Sequence, residues 1–129
     1  MREILFKAKT INGNWVNGLL ANKDDKWYIS NKAGMPFAYD VRPETICQFT
    51  GLTTKNGKRI WENDILMAHL DEYYPEYATY ETVEWGVAGW VTHEANSIDI
   101  QYLDEFDLEH FEVVGNIFDN PELLQEERR

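Results

Sequence analysis

The stretch TGLTTKNGKRIWENDILMAH, Thr50–His69, places turn chemistry and strand chemistry side by side. Asn56-Gly57 is a strong hairpin signal, because both residues tolerate positive φ. Arg59, Ile60 and Trp61 follow, then Glu62-Asn63-Asp64 runs into the apolar segment Ile65–His69. Two near-adjacent carboxylates suggest a metal or acid/base site. A hard cation needs about six oxygen ligands drawn from several segments, and this block supplies a fragment of that set. The alternative is structural: Asp64 can accept backbone N–H groups beside a turn and so start the strand behind it. We read Asn56, Gly57, Asn63 and Asp64 as a structural turn motif, two chain reversals bracketing a short strand.

Outward from this block the same grammar repeats. ILFKAKT alternates, and Asn12-Gly13 signals a hairpin before Trp15 and Val16. KWYIS is a short strand, and further strands are expected around 37–41 and 45–49 with Pro43 between them. ETVEWGVAGWVTHE reads as a hairpin, SIDIQYL alternates, DEFDLEH suggests one helical turn, and FEVVGNIF is a last strand. In the tail, Asn120 is a cap candidate, Pro121 suits a first helical position and Glu122 favours the helix dipole. We therefore expect a short C-terminal helix whose Leu123 and Leu124 dock on a body. Many short strands with helical chemistry only at the end point to a mainly β fold, a barrel or a sandwich.

The chain has 129 residues, enough for one compact domain or two small subdomains. Its 43% hydrophobic content favours a packed fold over disorder. Five Trp and seven Tyr either fill a thin core or form an aromatic surface. The lone Cys47 excludes an internal disulfide and reads as a small buried hydrophobe in a reducing compartment. The charged N-terminus MREILFKAKT is not a secretory signal, and no window approaches a membrane span. The expectation is a soluble cytoplasmic protein without a membrane contact.

Charge divides the chain. Residues 1–59 hold ten basic and five acidic side chains, whereas residues 60–129 hold two and eighteen. The net charge of −11 thus hides a positive first half. Such asymmetry suggests a partner or a self-complementary assembly, and it disfavours phosphate binding by the second half.

Catalytic patterns are missing from the sequence. His69, His93 and His110 lack the close spacing of a zinc site, and there is no phosphate loop or nucleophile elbow. We expect no enzyme activity, no cofactor and no metal.

Three ordered blocks carry a family resemblance: MREILFKA, QFTGLTTKNGKRIWENDIL and EVVGNIFDNPELL. They resemble the YopX-like proteins of phages and prophages of Gram-positive bacteria, and cover about a third of the chain. The resemblance implies a small, mostly β protein with an SH3-like barrel region. It supplies no catalytic residues. With a soft boundary near Thr50–Gly57, where the charge begins to change, we read residues 1–50 as an N-terminal β subdomain, 51–119 as the SH3-like β-barrel region and 120–129 as the helical tail, the alternative being one composite domain. The family commonly has Gly where Asn63 stands, an exchange that a positive-φ position allows.

Two surfaces stand out as candidates. Tyr73, Tyr74, Tyr77 and Tyr80 lie in an acidic loop and suit recognition, since Tyr brings contact area at low entropic cost. They equally suit a cover over the end of a barrel. Lys55, Lys58 and Arg59, with Lys7, Lys9, Lys23, Lys26 and Lys32 upstream, form a candidate basic face interleaved with Trp15, Trp27 and Tyr28. The plainer reading is a solvated face, and the net charge opposes DNA approach. The function expected is therefore a non-enzymatic accessory protein acting through protein–protein contacts, including self-association. A nucleic-acid-associated module and an acidic DNA mimic that blocks a host protein are the alternatives.

Overall fold

The computed structural model describes residues 4–30, 38–69, 78–104 and 107–125. The chain divides into two compact units, Met1–Gly51 and Leu52–Arg129. Among the described residues, regular structure consists of eleven strands and one-turn 3-10 helices.

The first unit is a meander of β1 (Phe6–Lys9), β2 (Trp15–Lys23), β3 (Lys26–Ser30) and β4 (Tyr39–Asp40), followed by β5 (Cys47–Thr53). The order is β4-β3-β2-β1-β5, and β5 runs on into the second unit beside β6 (Arg59–Trp61). Between β1 and β2, Gly13 at φ +89° donates its N–H to the Thr10 carbonyl at 2.8 Å. Between β2 and β3, Asp24 and Asp25 both take positive φ, the conformation of a two-residue hairpin turn. Strand alternation sends Phe6, Ala8, Val16, Leu20, Trp27 and Ile29 to one face, where they pack with Val41 and Ile46.

Pro43 shapes the approach to β5. Pro43–Thr45 is a 3-10 turn with proline at the first helical position, so the strand expected from Thr45 begins at Cys47. The Thr45 hydroxyl donates to the Arg42 carbonyl at 2.7 Å and accepts the Lys9 N–H at 2.8 Å. This one side chain fixes the turn and closes the end of β1.

The second unit carries β6, β7 (Asp64–His69), β8 (Ala78–Trp85), β9 (Trp90–Glu94), β10 (Ile100–Tyr102) and β11 (Phe111–Asn116). Its antiparallel sheet has the order β10-β9-β8-β7-β11. Leu66, Ala68, Val83, Trp90, Leu103 and Phe111 meet on one face and pack with Ile60 and Leu108. At the end of β11 the register shifts between Val113 and Gly115. A Cβ on Gly115 would lie 2.4 Å from Asn120 Oδ1 and 2.9 Å from Asn120 Cβ, so the tail can fold back only over glycine.

Two expectations are corrected. The fold is mainly β, but neither sheet closes into a barrel: among the described residues the second sheet ends at β10 on one side and β11 on the other. Barrel closure needs those two strands to pair, and the five-stranded order leaves them at opposite edges. Where the sequence suggested a helix over 120–129, the described part of the tail forms a single 3-10 turn, Pro121–Leu124, and residues 126–129 lie outside the described residues. Asn120 does not cap that turn. Its Oδ1 instead accepts the Asn116 N–H at 3.2 Å, and so short a segment does not hold an α-helix alone.

Candidate functional site

The block that opened the sequence reading is built from backbone hydrogen bonds. Gly57, at φ +83°, donates its N–H to the Thr54 carbonyl, and Thr54 donates to Lys58, both at 2.8 Å. Lys55, Lys58 and Arg59 are exposed around this hairpin. Asn63 sits at φ +71°, donates to the Val83 carbonyl at 2.8 Å and accepts the Ile117 N–H at 3.0 Å. Asp64 is 2% exposed, and its Oδ2 accepts the Trp61 N–H at 2.8 Å. A carboxylate held this way orders the β6–β7 connection. Among the described residues no group of three His, Cys, Asp or Glu side chains is close enough to hold a metal ion.

Tyr80 lies half-buried in β8 opposite Met67, while Tyr73, Tyr74 and Tyr77 lie outside the described residues. Cys47 is buried, and its thiol donates to the Thr45 carbonyl. His110 is exposed beside β11, apart from the site around His93.

The feature that sequence reasoning missed is the β10 edge. Ile98 and Ile100 are 96% and 59% exposed, and Tyr102 is 57% exposed. Ile100 and Tyr102 have the same parity along β10 and so project from one face, and Ile98 lies in the bend just before the strand. Leu103 donates its N–H to the Trp90 carbonyl, so ladder alternation turns the backbone groups of Ile100 and Tyr102 away from β9. Trp85 and Val87 add exposed apolar surface at the β8–β9 connection, with Trp85 edge-on to Trp90 at 4.8 Å. The sequence signal was the alternation of SIDIQYL. The missing piece was which side of β10 has no neighbouring strand among the described residues.

His93 lies at the other end of the same face. Nδ1 is 3.0 Å from Glu84 Oε2, and Nε2 contacts the Ser97 carbonyl. Both partners are acceptors, so the ring satisfies both only when both nitrogens carry protons. The Ser97 carbonyl first, and then the Glu84 carboxylate, raise the His93 pKa above its ordinary value against a lowering by burial. Thr82 Oγ1 bonds Glu84 at 3.2 Å, and Asn96 Nδ2 donates to the Leu124 carbonyl at 3.5 Å. Thr82, His93, Asn96, Ser97, Ile98 and Leu124 line an open cleft of about 460 Å³. Glu84 and His93 are diagonal neighbours across the hairpin that pairs Trp85 with Trp90, a relation legible once that register is known.

Among the described residues, no helix is long and apolar enough to cross a membrane. The fold is shared with a protein from Enterococcus faecalis, EF1440, whose crystal structure superposes with a TM-score of 0.65. That alignment covers 97% of this chain and all of the other at 21% identity. No curated protein matches the sequence. The family model described as YopX protein matches residues 6–125, nearly the whole length, which includes all three blocks except the first five residues of MREILFKA. The chain belongs to the YopX protein family.

Proposed function

We propose that this chain is a non-enzymatic accessory protein of a phage or prophage and that it works by binding another protein at the β10 edge. The observation that carries the reading is the exposure of Ile100 and Tyr102 on β10, an edge strand among the described residues, with exposed Ile98 in the bend before it. Soluble proteins usually blunt such edges with charge, proline or a covering element, because open edges recruit other strands. A partner segment that adds to β10 gains main-chain hydrogen bonds, and the apolar row selects its side chains.

The partner's chemistry follows from charge. Asp99 and Asp104 flank β10, and residues 60–127 contain no Lys or Arg. The complementary segment is extended, apolar at alternate positions and cationic between them. A two-fold pairing of β10 with itself would bring the same acids together, so a foreign partner is favoured over a symmetric dimer.

Calorimetric titration with an alternating valine–lysine peptide tests this. Binding should weaken as salt rises and should be lost in Tyr102→Lys, while an alternating valine–glutamate peptide should not bind. Equal binding of both peptides, or no loss in the variant, defeats the proposal. A dimer in sedimentation that Tyr102→Lys dissolves would replace the foreign partner with a second copy.

A further inference from the structure

The outer face of the first sheet has a composition that no single strand reveals. In β1, Lys7 and Lys9 alternate with Phe6 and Ala8, which face the core. Register then extends the outer face: Lys9 pairs with Trp15, Lys7 with Asn17, Lys23 with Lys26, and Ala21 with Tyr28. Residues paired directly across an antiparallel ladder share a face. The outer positions of β1, β2 and β3 are therefore Lys7, Lys9, Trp15, Asn17, Leu19, Ala21, Lys23, Lys26, Tyr28 and Ser30. Four are lysines and none is acidic. Asp40, opposite Tyr28 on β4, is an acid at the margin.

Trp15 organises part of this charge. Lys7 Nζ lies 4.7 Å from the centre of its ring and Lys9 Nζ lies 5.5 Å away. Two ammonium groups above one indole are held by its quadrupole and lose less rotamer freedom when they meet an anion. Leu19 is 43% exposed and Tyr28 is half-buried, so both contribute apolar or aromatic surface beside the cations.

We propose that this face of the first sheet binds single-stranded nucleic acid. Lysines at two-residue spacing meet successive phosphates, and Tyr28 with Leu19 receives unpaired bases. This is the combination of cationic track and stacking surface that such ligands require. A duplex is a poorer fit, because its bases are stacked inside and the outer positions of these strands carry no arginine for base edges. Residues 1–59 hold ten basic and five acidic side chains, so the segment that carries this face is positive although the whole chain is −11. The inference is independent of the β10 edge.

Fluorescence anisotropy with a labelled oligothymidylate and a duplex of the same length tests it, using the full chain at about 20 mM and about 200 mM salt. The single strand should bind more tightly than the duplex. Four phosphate contacts give a slope of log affinity against log salt near −3 on the single-strand scale of about −0.7 per contact. Lys23→Glu and Lys26→Glu, both exposed, should together weaken binding at least tenfold at low salt. Trp15 emission should change on binding in the wild type. Affinity weaker than about 100 μM at low salt overturns the proposal. So does a preference for duplex, an unchanged affinity in the double variant, or equal competition by polyglutamate, which would show a face that reads negative charge alone.

Discussion

The buried carboxylate of Asp64 accepts the backbone N–H of Trp61 at 2.8 Å, across the connection between β6 and β7. A buried acceptor so placed satisfies a donor that solvent cannot reach cheaply. Asp64→Ala should cost about 1–3 kcal/mol in urea unfolding by leaving that donor buried and unpaired. Asp64→Asn retains an oxygen and should cost less. Equal stability of the alanine variant and the wild type would show that the bond has no net worth.

Asn63, next to it, occupies φ +71° while both its backbone groups are bonded to other segments. Asn63→Gly should be tolerated to within about 1 kcal/mol, since glycine takes this region freely but loses more entropy on folding. Asn63→Val should destabilise by at least about 1–2 kcal/mol, as β-branched side chains are strained there. Thermal unfolding of both variants checks the order, which reverses if the side chain rather than the dihedral matters.

Gly115 and Asn120 form a coupled pair. Gly115→Ala puts a methyl against the Asn120 side chain, including its Cβ, and should cost about 1–3 kcal/mol by overpacking. The steric part should fall away in Asn120→Gly. The double variant should therefore be more stable than the sum of the two single changes, a coupling read from a double-mutant cycle. Strict additivity would mean that the chain end moves aside at no cost.

His93 gives a pH signature. Its folded pKa lies above the unfolded value of about 6.5, so protonation favours the native state. The stabilisation is complete below the unfolded pKa and is lost as pH rises through the folded one. His93→Gln should therefore lower the melting temperature more at pH near 5.5 than at pH near 8.5, about a unit or two either side of the imidazole range. A constant difference between wild type and variant across that range would remove His93 as the titrating group.

The legibility of the chain followed the range of each interaction. Gly13 and Gly57 take positive φ because glycine lacks a Cβ, and Asn63 because its short polar side chain tolerates that region, so residue type carries the information. Alternation in ILFKAKT and KWYIS announced strands for the same local reason. The tail misled because Asn120, Pro121 and Glu122 carry helix-start chemistry, yet Asn120 spends its side chain on the Asn116 N–H. The barrel expectation failed because closure depends on which strands end at the edges, and no residue in β10 or β11 encodes that by itself.

The sequence alone determined the β class, the turns, the change of charge after Arg59 and the family, each of which rests on neighbouring residues or on ordered blocks. Tertiary structure decided what those residues face. Pairing of Lys23 with Lys26 and of Lys9 with Trp15 gathered cations and aromatics on one surface, while the place of β10 at the edge left Ile100 and Tyr102 exposed. Register and strand order arise from contacts between segments far apart in the chain, whose closure entropy is met only by the assembled sheet.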